Sequence, residues 1–197
     1  MKKITIISGT SRPDNYTVKA AKIVEKKLKE RNIEIDLIDA RELELNFPGH
    51  PETKDAKRMQ ESIKAADAVI LATPEYHGSF SAMLKLILEN MGFPSPIQKK
   101  PVALLGVAAG RIGAIKSLEQ LRSVCAHMGA IVLPLGVSIA GVQAMFDEND
   151  NCTDANTEKL LEELGDSLIK FMEEYIEPRQ VLEAMVRSES LPWSTTV

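Results

Sequence analysis

Along this chain short apolar runs rich in Ile, Val and Ala alternate with stretches in which apolar residues recur every three or four positions. Runs with no polar alternation suit strands buried on both faces, and the helical period between them suits helices laid over a sheet. On that pattern strands are predicted at Ile4–Ser8, Ile33–Ile38, Ala68–Ala72, Val102–Val107 and Ile131–Leu135. A first helix is predicted from about Thr17 to Arg31, with Val18, Ala21, Val24 and Leu28 on one face and Lys19, Lys22, Lys26 and Lys29 largely off it. Later helices are predicted near Thr53–Ala65, Ser81–Asn90, Gly113–Met128 and Thr157–Tyr175. Each follows a strand, so the chain reads as stacked βαβ units: an α/β domain with a doubly wound five-stranded parallel sheet and helices on both faces.

Two stretches stand apart from this pattern. Gln143 to Asn156 is polar and carries Asp147-Glu148-Asn149-Asp150-Asn151, which predicts a solvated surface loop. An EF-hand fails there because its Gly and closing Glu are not at their positions. Past Tyr175 come Glu177-Pro178-Arg179, a short helical pattern with Val181, Leu182, Met185 and Val186, and then Leu191-Pro192-Trp193. The five-stranded core is complete before this tail, so the chain divides into a domain, 1–176, and a tail, 177–197. Pro178 is expected to end the preceding helix and redirect the chain. The tail's apolar groups are expected to pack on a neighbouring surface in an oligomer, the alternatives being that it folds over its own sheet or is disordered.

A length of 197 residues allows one domain with a sizeable core. Hydrophobic residues at 44% and charged residues at 26% are ordinary for a globular protein, which sets aside fibrous and disordered classes. The net charge of −4 argues against nucleic acid or an anionic membrane as partner. Cys125 and Cys152 lack Cys-x-x-Cys spacing and a nearby His cluster, so neither a redox pair nor a zinc site is expected. Cys125 falls on the helix face of Leu118, Leu121, Val124 and Met128, where a buried thiol is expected, and His50 and His127 have no ligand-spaced neighbours. Met1-Lys2-Lys3 runs directly into a strand-like segment, and no run reaches membrane-spanning length, so a reduced cytoplasmic location is expected.

Three loops carry candidate chemistry. Ser8 to Thr17 offers hydroxyls, backbone amides and a helix N-terminus, all suited to a phosphate. It has neither Gly-x-Gly-x-x-Gly nor Gly-x-x-x-x-Gly-Lys, so a terminal monoester phosphate suits it better than a dinucleotide or ATP. Taken alone, it reads equally as a helix cap formed by Ser11, Asp14 and Asn15 beside a solvated Arg12. The second loop, Thr73-Pro74-Glu75-Tyr76-His77-Gly78-Ser79, follows a central strand at the sheet edge where α/β folds bind ligands. Its alternative is a plain turn with Tyr76 and Phe80 in the core. The third, Ala108-Ala109-Gly110-Arg111-Ile112-Gly113-Ala114, reads by itself as a strand-to-helix turn needing glycine. All three follow strands one, three and four.

In the second loop Pro74, Glu75, Tyr76 and Gly78 match the Pro-Glu-Tyr-Asn-Gly flavin-ring loop of the NAD(P)H-dependent FMN reductases, and the chain resembles that flavodoxin-like family, which includes azoreductases and quinone reductases. His77 stands where the family has Asn. The first loop is similar to the family's Gly-Ser-x-Arg-x-x-Ser-x-Asn phosphate motif: Gly9 and Arg12 match, Thr10 replaces Ser, and Asn15 and Thr17 stand where the family has Ser and Asn. The third resembles Gly-Gly-x-x-Gly-Gly, keeping Gly110 and Gly113 with Ala109 and Ala114 in place of glycines. The resemblance runs from about Ile4 to Pro134 and implies the strand order 2-1-3-4-5, with the loops at the switch point.

It also implies bound FMN, with Gly9, Thr10, Ser11, Arg12, Asn15, Tyr16 and Thr17 around the phosphate. Pro74, Glu75, Tyr76, His77 and Gly78 would border the ring, with Ala109, Gly110, Arg111 and Gly113 beside it. NADPH or NADH would be co-substrate, reducing a small-molecule electron acceptor such as a quinone, azo compound or free flavin by ping-pong kinetics. A homodimer or homotetramer is implied, with no metal, and with His77 giving contact and shape but no proton transfer. Two rivals stay open. A flavodoxin-type electron carrier would bind no nicotinamide; such carriers are strongly acidic and sandwich flavin between aromatics, whereas this chain is mildly acidic with no Trp in the three loops. A flavin-free α/β binding protein would fit if His77, Ala109 and Ala114 mark a decayed site.

Overall fold

The computed structural model describes residues 2–187. In chain order the elements are β1 (Lys3–Ser8), α1 (Tyr16–Glu30), β2 (Glu34–Asp39), α2 (Lys54–Ala65), β3 (Ala68–Tyr76), β4 (Ser79–Phe80) and α3 (Ala82–Glu89). There follow β5 (Pro101–Val107), α4 (Ile115–His127), β6 (Ile131–Val132), β7 (Val137–Ile139), α5 (Ala155–Phe171) and α6 (Glu177–Val186). The main sheet runs β2-β1-β3-β5-β6 with parallel pairing, so β1 and β3 are central and the flavodoxin-like order holds. No described helix is long and apolar enough to cross a membrane.

Both faces of the central strands are apolar because each face has its own core. Ile4, Ile6, Ile70 and Leu105 meet Val24 and Leu28 of α1 and Leu161 and Leu168 of α5. The alternate residues Ile7, Val69, Leu71 and Leu104 meet Met59, Ile63, Leu84, Ile87 and Leu121 of α2, α3 and α4. Period-two alternation between two buried faces is what makes the strands read as continuous apolar runs. The helices start where short polar side chains accept an orphan amide: Asn15, Thr53, Ser81 and Asp154 each cap one.

Three expectations need correction. The strand expected at Ala68–Ala72 runs on to Tyr76, which turns back as β4 with Glu75 opposite Phe80 and Tyr76 opposite Ser79. The strand expected at Ile131–Leu135 is broken. Between Val132 and Val137 the chain takes five steps where β5 takes three, from Val102 to Leu105, so Leu133–Gly136 bulges out of register. Pro134 has no amide for the ladder, and Arg122 on α4 donates from Nη1 to the Leu133 carbonyl at 2.6 Å and from Nη2 to the Pro134 carbonyl at 2.9 Å. Finally, Pro178 does not end the helical run. A π turn at Met172–Ile176 widens the helix, and Pro178 sits in the first turn of α6, where a missing amide costs little. Leu191, Trp193 and the rest of the tail beyond Arg187 lie outside the described residues.

Arg122→Ala should lose these two charge-assisted bonds and lower stability by about 1–3 kcal/mol. Urea unfolding followed by far-ultraviolet circular dichroism measures it; an unchanged midpoint would mean that water satisfies the two carbonyls as well.

Candidate functional site

At the carboxyl end of the parallel strands a cleft of about 460 Å³ opens between the loop after β1, the end of β3, the end of β5 and the turn after β7. Its first wall is Arg12–Thr17. The loop folds on itself: Asn15 Nδ2 donates to the Arg12 carbonyl at 2.8 Å, and Asn15 Oδ1 accepts the Val18 amide at 2.9 Å. Asn15 thereby caps α1 and leaves the neighbouring amides at a helix N-terminus beside the cleft, where a negative group is favoured. Thr17 is fully buried, lines the cleft, and its Oγ1 has no hydrogen-bond partner among the described residues. Arg12 forms no ion pair among the described residues.

The opposite wall is Pro74, Glu75 and Tyr76. Tyr76 is 37% exposed, so its ring borders the opening instead of joining the core. His77 and Gly78 form the two-residue turn to β4, and both have positive φ, 52° and 73°. That is a type I′ hairpin, whose favoured pair is Asn-Gly because these residues enter the left-handed region cheaply. Histidine does so less readily, so its strain belongs to the turn. Gln120 of α4 fastens the hairpin, donating to the Gly78 carbonyl at 2.8 Å and accepting from Ser79 Oγ at 2.7 Å. Glu75 has a role the sequence did not disclose. The residue before α4, Ala114, offers no side-chain cap, and Glu75 Oε2 accepts the Ser117 amide at 3.0 Å in its place.

Val107, Ala108 and Ala109 close the floor, together with Val142 and Gln143. The two strands of this wall are sewn together by bonds from Ala108 N to Ile139 O and from Val142 N to Ala108 O. Tyr16 is braced from behind: its ring lies 6.0 Å from Phe146, and Lys19 sits 4.9 Å from its centroid while pairing with Asp150 at 2.5 Å. That ion pair, chiefly its hydrogen bond, raises the Lys19 pKa. The segment expected as a solvated loop is largely exposed, Glu148 to Asn151 included, and it also buttresses the cleft through the buried Phe146.

Of the residues singled out from sequence, Arg12, Asn15, Tyr16, Thr17, Pro74, Glu75, Tyr76 and Ala109 meet in the cleft. Gly9 and Thr10 are buried at its root, where a Cβ on Gly9 would lie 2.8 Å from Leu84 Cβ and 2.9 Å from the Ala72 carbonyl. Ser11, His77, Gly78, Gly110, Arg111 and Gly113 stand outside the lining. Gly113 is needed for its turn, with φ 78° and a built Cβ 2.4 Å from Ser138 Oγ, while Gly110 faces open space. Pro13, Asp14, Val107, Ala108, Val142 and Gln143 also line the cleft without having been singled out. For the last two no local signal exists, since a strand that had not been foreseen brings them there. Cys125 is fully buried, and burial pushes its thiol up to about 12, so it is no nucleophile.

The sequence signature described as NADPH-dependent FMN reductase matches residues 2–144. An NADPH azoreductase of Bacillus sp. (strain OY1-2) is 32% identical over 149 residues, covering 74% of this chain and 81% of that protein. An FMN-dependent NADPH-azoreductase of Staphylococcus aureus (strain USA300) is 30% identical over 154 residues, covering 74% and 80%. Among solved structures, FerB, a flavoenzyme NAD(P)H:(acceptor) oxidoreductase of Paracoccus denitrificans, has a TM-score of 0.73 at 25% identity, covering 89% of this chain and 99% of that one.

Substitutions at two positions test how the hairpin is held. His77→Asn should keep or slightly raise stability, whereas His77→Val should lower it by about 1–2 kcal/mol, since a β-branched residue pays most in the left-handed region. Glu75→Ala should cost about 0.5–2 kcal/mol through the lost cap of α4. Denaturant midpoints of the three variants decide both, and equal midpoints for Asn and Val at position 77 would show that the turn adopts another form.

Proposed function

The chain belongs to the NADPH-dependent FMN reductase family, and from that premise we propose that it passes reducing equivalents from NADPH, through FMN held in the cleft, to a quinone, azo compound or free flavin. As a member it is an oxidoreductase working with FMN and NADPH. The observation that carries the site assignment is the buried Thr17 hydroxyl, without a partner among the described residues, at the capped N-terminus of α1 in the same cleft wall as Arg12, whose guanidinium forms no ion pair among the described residues.

A buried hydroxyl with nothing to bond is costly unless a ligand completes it, and a phosphate oxygen is the acceptor that a helix N-terminus and an arginine also favour. The residues therefore fit the terminal phosphate of FMN. Bound FMN supplies the hydride and electron transfer. Arg12, Thr17 and the α1 amides hold the phosphate; Asn15 keeps the loop in its capped form. Pro74, Glu75 and Tyr76 border the ring, on a hairpin fastened by Gln120 and by the Glu75 cap of α4. Ala109, Val142 and Gln143 form the far side. No residue is asked to move a proton. Reductant and acceptor use the same open mouth in turn, which gives ping-pong kinetics.

Flavin released from the purified protein should chromatograph as FMN, and anaerobic NADPH should bleach it, with acceptor restoring the colour. FAD, or a protein that takes up no FMN, would overturn the proposal; a flavin that NADPH fails to bleach would make the protein a carrier. Arg12→Ala should weaken FMN binding roughly ten- to a hundred-fold, the worth of about 1.5–3 kcal/mol for a charge-assisted bond. Thr17→Val, which removes only the hydroxyl, should weaken FMN binding about five- to tenfold while leaving apoprotein stability unchanged or higher. Fluorescence titration of the apoproteins gives both affinities.

A further inference from the structure

Ala109, on the floor of the cleft, leads straight into a four-residue turn, Gly110-Arg111-Ile112-Gly113. Both ends of that turn are pinned. The Gly110 carbonyl accepts the Gly113 amide at 3.3 Å and the Gly141 amide at 3.1 Å, and Ser138 Oγ accepts the following amide, that of Ala114, at 2.8 Å. Arg111 and Ile112 are thereby held at the tip, and both stand in solvent, Ile112 with 77% of its surface exposed. Ile115, the first residue of α4, extends this apolar lip at 47% exposure. The cations near the mouth are not equally free. Lys19 pairs with Asp150, and Arg41, close enough to Asp14 of the cleft wall to feel its charge, pairs with Asp39. Arg12 belongs to the phosphate wall. Lys116 lays its stem along the hairpin, its Cδ 3.4 Å from where a Cβ on Gly78 would stand. Arg111 remains, with neither an ion pair nor a side-chain hydrogen bond among the described residues, while Glu75 is spent on the Ser117 amide.

We propose that this tip takes the adenosine end of NADPH, the Arg111 guanidinium on its 2′-phosphate and Ile112, with Ile115, under the adenosine, an assignment that rests on the flavin reading above. The nicotinamide and the 2′-phosphate lie at opposite ends of NADPH. With the nicotinamide over a ring in the cleft, the phosphate has to land beyond the lining, on the rim, and Arg111 stands just past the lining on a turn that cannot swing away. A guanidinium grips phosphate oxygens with two parallel donors, and NADH, otherwise identical, offers it nothing. When NADH binds, Arg111 stays in water, so no buried group is stranded and only the lost attraction discriminates. The preference is therefore about one to two orders of magnitude, not the four or five of a buried polar site, and it weakens with salt.

Stopped-flow bleaching of the FMN-loaded protein by subsaturating NADPH and NADH tests it in the wild type, Arg111→Gln, Arg111→Lys and Ile112→Ser. Both positions are exposed and neither lines the cleft, so folding and FMN affinity should hold, the latter within about twofold. The wild type should favour NADPH roughly ten- to a hundred-fold. Arg111→Gln should bring that ratio to within about threefold of unity by slowing NADPH alone, and Arg111→Lys should keep part of it. Ile112→Ser should slow both cofactors about three- to fivefold with the ratio kept. Raising salt from about 0.02 to about 0.5 M should shrink the wild-type ratio and leave that of Arg111→Gln in place. A wild type without preference for NADPH overturns the assignment, as does an Arg111→Gln protein that keeps the preference or slows with NADH as much as with NADPH. If neither cofactor bleaches the flavin, the reading of the cleft is what fails, and calorimetry judges Arg111 by itself: 2′,5′-ADP should bind the wild type at least about tenfold more tightly than 5′-AMP and lose that margin in Arg111→Gln. Equal binding of the two nucleotides to the wild type removes the phosphate contact.

Discussion

The cleft depends on how closely the chain passes itself just after β1. Gly9 donates its amide to the Ala72 carbonyl at 2.8 Å and its own carbonyl accepts from Ser81 Oγ, while Leu84 fills the space where a side chain would be. One residue thus ties the loop after β1 to β3 and to the cap of α3. Any side chain there forces two of these elements apart, and both walls of the cleft hang from them. The glycine that the family resemblance led one to expect beside a ligand acts by letting the walls meet.

What could be read along the chain is what short-range physics decides. Strands buried on both faces leave continuous apolar runs, and Asn15, Thr53, Ser81 and Asp154 mark helix starts because each accepts an amide within three residues. The broken edge strand was readable only in part: Pro134 and Gly136 announce an interruption, but the register shift depends on β5, and the repair depends on Arg122, eleven residues before Leu133. The hairpin at His77-Gly78 was hidden because histidine is an uncommon first residue for a type I′ turn. The bracing of Tyr16 by Phe146 and of Lys19 by Asp150 comes from contacts across more than a hundred residues of sequence, and Val142 is tied to Ala108 across some thirty, which no local pattern encodes.

The departures from the family's glycine pattern also have local causes, and these bear on whether the site has decayed. Ala114 is fully buried and faces away from the cleft. A Cβ on Gly106 would lie 2.6 Å from its methyl group, so the missing side chain in β5 makes the room that Ala114 takes. The amide of Ala114 is satisfied by Ser138 Oγ at 2.8 Å, and α4 receives its cap from Glu75. Ala109 lines the cleft with only a methyl group added, and His77 lies in the turn outside it. Each substitution is absorbed by packing next to it, while the atoms that would meet a phosphate, those of Arg12, Thr17 and the start of α1, keep their unspent hydrogen-bonding capacity. Decay would relax that capacity first, because an unpaired buried hydroxyl costs stability with no ligand to offset it. An unpaired Thr17 hydroxyl in the cleft wall, at a position where the family has Asn, is therefore a stronger sign of a working site than the altered glycines are of a lost one.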